Sequence, residues 1–221
     1  YALMDGLRAL AESGRLKLRM AEQALLTEPE TLDEFFERGM ADYGASHRFR
    51  ISTVKILADG PLGARTAPLR APYADAPETR GLPIYPEQEA LDRLVLAAHR
   101  HNLPAAVHAI GDGAAEMVLR SVARARRELP WLTPRHGMVH CQIMDGAQLR
   151  RMKELDMTAY VQPVFINGDM HIAPQRLGAA RLPGAYAWGS MEKLGFPLAF
   201  GLIRYDSFFF MTLHFPTGSC H

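Results

Sequence analysis

Residues 53–60 read TVKILADG, residues 105–108 read AAVH, and residues 137–140 read GMVH. Each stretch is a short apolar run with a possible metal ligand at or near its end: Lys55 with Asp59 behind it, then His108, then His140. Between the runs, apolar residues recur at the spacing of a helix. Such alternation of strands with helices favours a parallel sheet. In a parallel α/β barrel the carboxyl ends of the strands meet on one face, so these side chains could converge on a single site.

Hydrophobic periodicity extends this alternation along the chain. It predicts strands at residues 16–20, 51–57, 104–108, 137–140, 157–161 and 197–200, and helices at 3–12, 32–43, 87–101, 113–129, 145–155 and 185–194. Residues 58–86 are too rich in Gly and Pro for regular structure, and a connection of that length is usually functional. A complete eight-stranded barrel takes about 250 residues. Residues 1–201 are therefore predicted to form an α/β fold, an incomplete (β/α)8 TIM-type barrel.

The terminal segments depart from this pattern. Residues 202–221 include three consecutive phenylalanines, 208–210, and are predicted to be an atypical C-terminal tail, foreign to the body of the chain. At the other end the sequence starts without Met and runs directly into an amphipathic pattern. We therefore expect the native N-terminus to lie upstream of residue 1.

Composition excludes several classes of function. The 221 residues carry a net charge of +1 with basic and acidic residues interspersed, which gives no footprint for nucleic acid or an anionic membrane. No apolar run approaches the length needed to span a bilayer. The two cysteines, Cys141 and Cys220, form no paired pattern, which favours a reducing compartment and a cytoplasmic location. A small neutral substrate fits this balance better than a polyanion.

The strand-end residues each have a structural alternative. A single histidine at the end of a strand is more often bonded to a backbone carbonyl than to a metal, but two in successive units, His108 and His140, favour a metal site for zinc or a similar ion. Lys55 interrupts an apolar strand, and burying its ammonium is costly unless it is paired or chemically altered. Carbamylation would turn it into a bridging carboxylate. The alternative places Lys55 on the outer face, extended past a helix towards solvent.

Other polar residues are weaker candidates. His99 and His101 are two apart on a predicted helix and point in different directions, so we expect both to face solvent. His136 lies four residues before His140, about 13 Å away along a strand, and is expected to be structural or to stand behind the ligands. Asp112, between two glycines, lacks the pattern of a phosphate loop and is expected to cap a helix.

Several motifs, in this order, resemble the amidohydrolase superfamily, in the YtcJ-like branch that includes N-substituted formamide deformylases. They are residues 54–67 (VKILADGPLGARTA), 72–75 (PYAD), 107–112 (VHAIGD), 135–142 (RHGMVHCQ) and 162–163 (QP), and the likeness extends over residues 1–201. The resemblance implies a (β/α)8 barrel of which strands 3 to 8 are present here. It also implies a small β-sandwich domain, formed from both termini of the family's chains, which we expect to be missing here.

By position, the resemblance makes Lys55 the carboxylated, metal-bridging lysine of the fourth strand, His108 the ligand of the fifth and His140 the ligand of the sixth. It implies one or two divalent metal ions, with zinc expected. Residues expected to contact substrate or to stand behind the ligands are Asp59, Arg65, Asp112, His136 and Gln142. Two parts of the family's site have no counterpart: the His-x-His of the first strand and the eighth-strand aspartate, for which Asp206 is three positions late. The catalytic residue is therefore unassigned.

The resemblance implies hydrolysis of amide or related C–N bonds by a metal-activated water. Because part of the apparatus is missing, we expect little activity from this chain alone. The alternative is a barrel fragment without catalysis, acting as a binding or regulatory module, whose open sheet edges could pair with another chain in a homo-oligomer. A phosphotriesterase-type barrel hydrolase is a third, weaker alternative.

Overall fold

In the computed structural model of the protein, residues 2–38 and 48–201 are described. The strands are β1 (Met20–Leu25), β2 (Phe49–Leu57), β3 (Ala105–Ala109), β4 (Gly137–His140), β5 (Thr158–Val161) and β6 (Leu198–Phe200). The helices are α1 (Ala2–Glu12), α2 (Pro29–Glu37), α3 (Gln88–Arg100), α4 (Asp112–Glu128), α5 (Gly146–Glu154), α6 (Phe165–Asp169), α7 (Ala173–Leu177) and α8 (Trp188–Lys193). A short 3-10 turn, Leu182–Gly184, precedes α8.

The six strands form one sheet in the order β1-β2-β3-β4-β5-β6, and every neighbouring pair is parallel. Sequential parallel order with helices between the strands is the arrangement of a (β/α)8 barrel. The predicted fold class, an incomplete TIM-type barrel, is therefore confirmed.

Two predicted elements were placed wrongly. The first strand begins at Met20 instead of ending there, because its partner register starts at the pair Met20 and Phe49, and Leu18 is 66% exposed. Helix α2 begins at Pro29, after Glu28, three residues before the predicted start at residue 32. The rest of that predicted helix falls in residues 39–47, and the predicted tail is residues 202–221; both lie outside the described residues.

The main core lies between the outer face of the sheet and the helices. On β2 and β3 the residues that pack there alternate: Val54 and Ile56, then Ala105, Val107 and Ala109. The residues between them point to the opposite, inner face. This alternation fixes which side chains can reach the barrel interior.

The long connection, residues 58–86, has turns but no helix or long strand, as predicted. It forms a second hydrophobic core with α7 and the ends of β3 and β4; the buried members are Leu62, Ala67, Leu69, Tyr73, Ala76, Ile110, Ile143, Ala173 and Leu177. Gly111 and Gly113 lie against the backbone of Pro68, whose carbonyl accepts a hydrogen bond from the Gly113 amide at 2.9 Å. The connection is thus fastened over the carboxyl ends of the strands.

Among the helices of residues 2–38 and 48–201, none combines the length and apolar character needed to span a membrane.

Candidate metal centre

Lys55 and His108 occupy the inner face of neighbouring strands. Lys55 is 5% exposed and lies between Val54 and Ile56, both of which pack in the outer core. His108 lies in the same way between Val107 and Ala109, and it pairs with Leu57, two residues beyond Lys55. The alternative that places Lys55 on the outer face is therefore wrong, because its neighbours fill that face.

His140 reaches the same site by a local reversal of the backbone. Strict alternation on β4 would put it on the face of Met138, which packs in the outer core. His140 and Cys141 instead have left-handed conformations, with φ of 77° and 49°. Their carbonyls accept hydrogen bonds from the indole Nε1 of Trp188, at 3.0 and 3.2 Å. These two hydrogen bonds hold His140 and Cys141 in a backbone conformation that non-glycine residues rarely adopt.

The two imidazoles face each other. Nε2 of His140 lies 3.1 Å from Nδ1 of His108, and His140 is 2% exposed. Two nitrogen ligands of a tetrahedral zinc ion, each about 2.05 Å from the metal, are about 3.3 Å apart. The spacing therefore suits two ligands of one ion, and the donor type is one that zinc prefers.

Asp59 lies behind His108. Its Oδ1 is 3.2 Å from Nε2 of His108. The same carboxylate accepts hydrogen bonds from the amides of Ile110, at 2.9 and 3.1 Å, and Gly111, at 2.8 Å. The distance from Oδ1 to Nε2 of His108 is short enough for an ion pair but lacks hydrogen-bond geometry, and Nε2 of His108 has no hydrogen-bond partner among the described residues. The negative carboxylate nevertheless favours a proton on Nε2, which would leave Nδ1 with a free lone pair for a metal ion.

Burial sets the charge of this cluster. It lowers the pKa of Lys55 to about 7, although the carboxylate of Asp59 opposes the change. Burial also lowers the pKa of His140 far below its ordinary value, and the neighbouring His108 and Lys55 lower it further. Lys55 is thus close enough to affect His140, and the imidazole of His140 stays neutral, as a metal ligand must.

The described residues supply only part of a complete ligand set. Within 2–38 and 48–201, no three His, Cys, Asp or Glu side chains come together as a metal-binding group. Nδ1 of His140 is buried without a hydrogen-bond partner among these residues. Two facing imidazoles therefore fit a metal ion, and Lys55 is the third side chain available on the inner face.

Three other predicted residues have definite positions. Arg65 is on the surface and its guanidinium binds Asp75, at 2.9 and 3.2 Å, within the long connection. Asp112 does not cap α4, because Gly111 occupies the cap position; its carboxylate binds the backbone and side chain of Arg70, at 3.0 and 3.1 Å. Gln142 is buried and donates to Asp169 at 3.3 Å.

The structure decides between the two expectations for His136 and corrects the one for His99. His136 precedes β4, at the end of the strand opposite to His140, and its ring nitrogens contact the amide of Ala105 and the ring of His99. His136 therefore has a structural position and does not stand behind the metal ligands. His99 is completely buried rather than solvent-facing, because α3 turns it towards the sheet. His101 is exposed, as expected.

Sequence reasoning gave no role to Gln162, the residue after β5. It is 1% exposed, and neither of its amide atoms has a hydrogen-bond partner among the described residues. The only signal in the sequence was its place in the motif at 162–163.

A separate cavity of about 950 Å³ lies between α5 and α8. Its wall includes Arg70, Asp145 and Arg150, but none of Lys55, His108 or His140.

The parallel strands, two of which carry an imidazole at the carboxyl end, place this chain in the class of TIM-type barrel proteins, with a candidate metal centre. A sequence profile described as the amidohydrolase family matches residues 1–202, and the chain belongs to this family. It is 36% identical over 149 residues to the putative amidohydrolase YtcJ of Bacillus subtilis strain 168, across 67% of this chain and 27% of YtcJ. It is 33% identical over 131 residues to the protein LONG AFTER FAR-RED 3 of Arabidopsis thaliana, across 58% of this chain and 22% of that protein.

Two solved structures share the fold. An uncharacterized metal-dependent hydrolase from Pyrococcus horikoshii OT3 is 31% identical, with a TM-score of 0.76 over 89% of this chain and 38% of that one. One from Pyrococcus furiosus is 32% identical, with a TM-score of 0.76 over 89% of this chain and 39% of that one. The chain thus spans about a quarter of the length of its curated relatives and about two fifths of these structures.

Proposed function

We propose that the chain is the metal-binding middle of a hydrolase that cleaves C–N bonds of small amides, including N-substituted formamides. The observation that carries this proposal is the 3.1 Å approach of His140 Nε2 to His108 Nδ1 at the carboxyl ends of β4 and β3. Membership of the amidohydrolase family supports the reaction class, and the metal-dependent hydrolases of similar fold support a divalent ion. Zinc is the proposed ion, since imidazole nitrogens suit it.

In this proposal His108 and His140 hold the ion and Lys55 supplies a third ligand as its carbamate. The neutral amine of Lys55 adds to carbon dioxide, a nitrogen–carbon bond forms, and one proton leaves to solvent. Its position on the inner face beside His140, and a pKa lowered to about 7 by burial, support this step. The resulting carboxylate would be an oxygen ligand where the described residues offer no third His, Cys, Asp or Glu.

When bound, the ion supplies a water of lowered pKa and polarises the amide carbonyl. The chain's own residues orient the site. The carboxylate of Asp59, 3.2 Å from Nε2 of His108, favours a proton on that nitrogen, and the Trp188 indole fixes the reversed backbone that carries His140. The connection 58–86, fastened over the strand ends, limits access of bulk water.

The direct test is metal binding by the whole 221-residue chain. Co²⁺ titration followed by visible absorption, with metal content measured by mass spectrometry, should give about one ion per chain. His108→Ala and His140→Ala should each weaken binding by more than about tenfold. His101→Ala, which removes an exposed histidine from the end of α3, should leave binding unchanged. Equal binding by all four proteins would refute the proposed centre.

We also propose that this chain alone hydrolyses amides weakly. No aspartate is assigned as the general base, and such a base contributes about 10²–10⁴ in rate. The alternative function is a barrel module that binds another copy or another chain through the edge strands β1 and β6, and a homo-oligomer is its proposed form. A defined assembly without stoichiometric metal, seen by size-exclusion chromatography with metal analysis, would favour this alternative.

The proposed compartment is the cytoplasm. Cys141 is buried with a free thiol, and burial raises its pKa far above the ordinary value, so it is held as an unreactive side chain. A neutral amide is the proposed substrate, and we propose neither a nucleic-acid nor a membrane partner, consistent with the net charge of +1.

A further inference from the structure

Gln162 lies at the carboxyl end of β5, beside the candidate metal centre. Ala159 and Val161 pack in the outer core, so Gln162 continues the inner face that carries Tyr160. Tyr160 pairs with Val139, the residue before His140. Three residues after Gln162, the ring of Phe165 contacts that of His140 with centroids 5.3 Å apart. Lys55, His108, His140 and Gln162 therefore lie on, or directly after, four neighbouring strands, β2 to β5, towards the same end of the sheet.

Gln162 is unusual because it is buried and unsatisfied. It is 1% exposed, and both Nε2 and Oε1 lack a hydrogen-bond partner among residues 2–38 and 48–201. Each unpaired buried polar atom costs about 1–3 kcal/mol. Gln148, equally buried, shows the ordinary arrangement: its Nε2 donates to the carbonyl of Asp112 and its Oε1 accepts from the amide of Asp145. The described residues therefore give no structural reason for an amide at position 162.

We propose that Gln162 is a substrate-binding residue that receives the amide group of the substrate beside the metal centre, donating through Nε2 and accepting through Oε1. The inference rests on the proposed function for its setting, and it adds the residue that would orient the scissile group. It would act as a binding and positioning residue, with no bond made or broken at its own atoms.

The two atoms define the chemical class of the ligand. A carboxylate would satisfy Nε2 and leave Oε1 unpaired, and an ammonium would do the reverse. A primary amide, a formamide or a urea offers a donor and an acceptor side by side and would satisfy both. The position therefore selects a neutral amide.

Stability separates this role from a structural one. Gln162→Met replaces a buried amide that lacks partners with an apolar side chain of similar shape. The melting temperature should therefore rise by a few degrees, since functional residues are often not the most stabilising choice at their positions. The matched variant Gln148→Met breaks two hydrogen bonds and should lower it. Thermal unfolding of both variants beside the parent chain tests this contrast. If Gln162→Met lowers the melting temperature as much as Gln148→Met does, the proposal is overturned.

Binding is measured on the same proteins with formamide as the probe. In ¹⁵N-labelled chain, the side-chain amide of Gln162, assigned by its absence in Gln162→Met, should shift saturably with formamide and not with acetate. The variant should bind formamide about tenfold more weakly, as reported by the backbone amide of Phe165. An unmoved Gln162 signal or an unchanged affinity would also overturn the proposal.

Metal binding distinguishes the two proposals. Gln162→Met should retain the Co²⁺ affinity of the parent chain, because Gln162 is no ligand. If the parent chain binds no metal, the proposed centre fails, whereas the formamide titration still decides the role of Gln162. If metal binds and the glutamine signal does not respond to formamide, only the inference about Gln162 fails.

Discussion

Nε2 of His136 lies 2.9 Å from Nδ1 of His99, and both rings are buried at the amino end of β4. The tautomers follow from their other contacts. The amide of Ala105 donates to Nδ1 of His136 at 3.0 Å, so His136 carries its proton on Nε2 and donates to His99. His99 then donates through Nε2 to the carbonyl of Leu129 at 3.1 Å. All four ring nitrogens are satisfied only while both rings are neutral.

This network predicts a loss of stability in acid. Burial lowers the pKa of His136 to about 3, with smaller contributions from His99 and Arg126, and burial also lowers the pKa of His99. In the unfolded chain a histidine titrates near 6.5. Below that pH the unfolded state binds more protons, so the stabilisation is complete above about pH 6.5 and is lost as pH falls towards 3.

The expected slope is about 1.4 kcal/mol of unfolding free energy per pH unit for each such histidine. Urea unfolding between pH 4.5 and 7 measures it. His136→Gln should remove about one histidine's share of the slope, whereas His101→Gln, which removes an exposed imidazole, should not. His140 also contributes to the parent slope, so the variant retains part of it. If the unfolding free energies of the parent and of His136→Gln change equally with pH, His136 is not the buried neutral histidine that causes the loss of stability in acid.

Asp59→Asn should weaken metal binding while the fold survives. The carboxylate accepts hydrogen bonds from the amides of Ile110 and Gly111 and lies 3.2 Å from Nε2 of His108. An asparagine NH2 would oppose one of these donors. We expect Co²⁺ affinity to fall about 10–100-fold and stability to fall by about 1–3 kcal/mol. The control is Asp156→Asn, which loses only a surface ion pair with Arg135 and should change neither quantity appreciably.

The order of elements could be predicted from sequence because hydrophobic periodicity changes clearly between strands and helices after residue 48. The exception is β1, whose MAEQAL sequence has no β-branched residue and is made a strand by pairing with β2. The candidate site could be predicted as far as Lys55, His108 and His140, since strand ends share one edge.

Side-chain partners could not be predicted. The burial of His99 depends on which way α3 turns against the sheet, and the sequence spacing of His99 and His101 carries no information on that rotation. The position of His140 depends on a backbone reversal rather than on alternation along β4. Gln162 gave no signal because an unsatisfied amide is recognised only once its surroundings are known.

Gly111→Ala should destabilise the contact between the long connection and α4. A Cβ at this position would lie 2.0 Å from the carbonyl oxygen of Pro68, a backbone atom that cannot rotate away. We expect a loss of about 3 kcal/mol in urea unfolding. Gly189→Ala is the matched control, because a Cβ there meets nothing within 4 Å and helix α8 should gain about 0.5–1 kcal/mol. Similar losses in both variants would show that the approach to Pro68 is not what requires glycine.

Trp188→Phe tests whether α8 positions a metal ligand. The indole Nε1 donates to the carbonyls of His140 and Cys141, the two residues with left-handed backbone, and phenylalanine keeps the ring but removes this donor. The reversal that turns His140 towards His108 should then relax, with a stability loss of about 1–2 kcal/mol. Co²⁺ affinity should fall about tenfold. Trp131→Phe, at a site 72% exposed, should alter neither. If Trp188→Phe lowers stability and leaves the Co²⁺ spectrum and affinity intact, the indole supports the fold but not the position of His140.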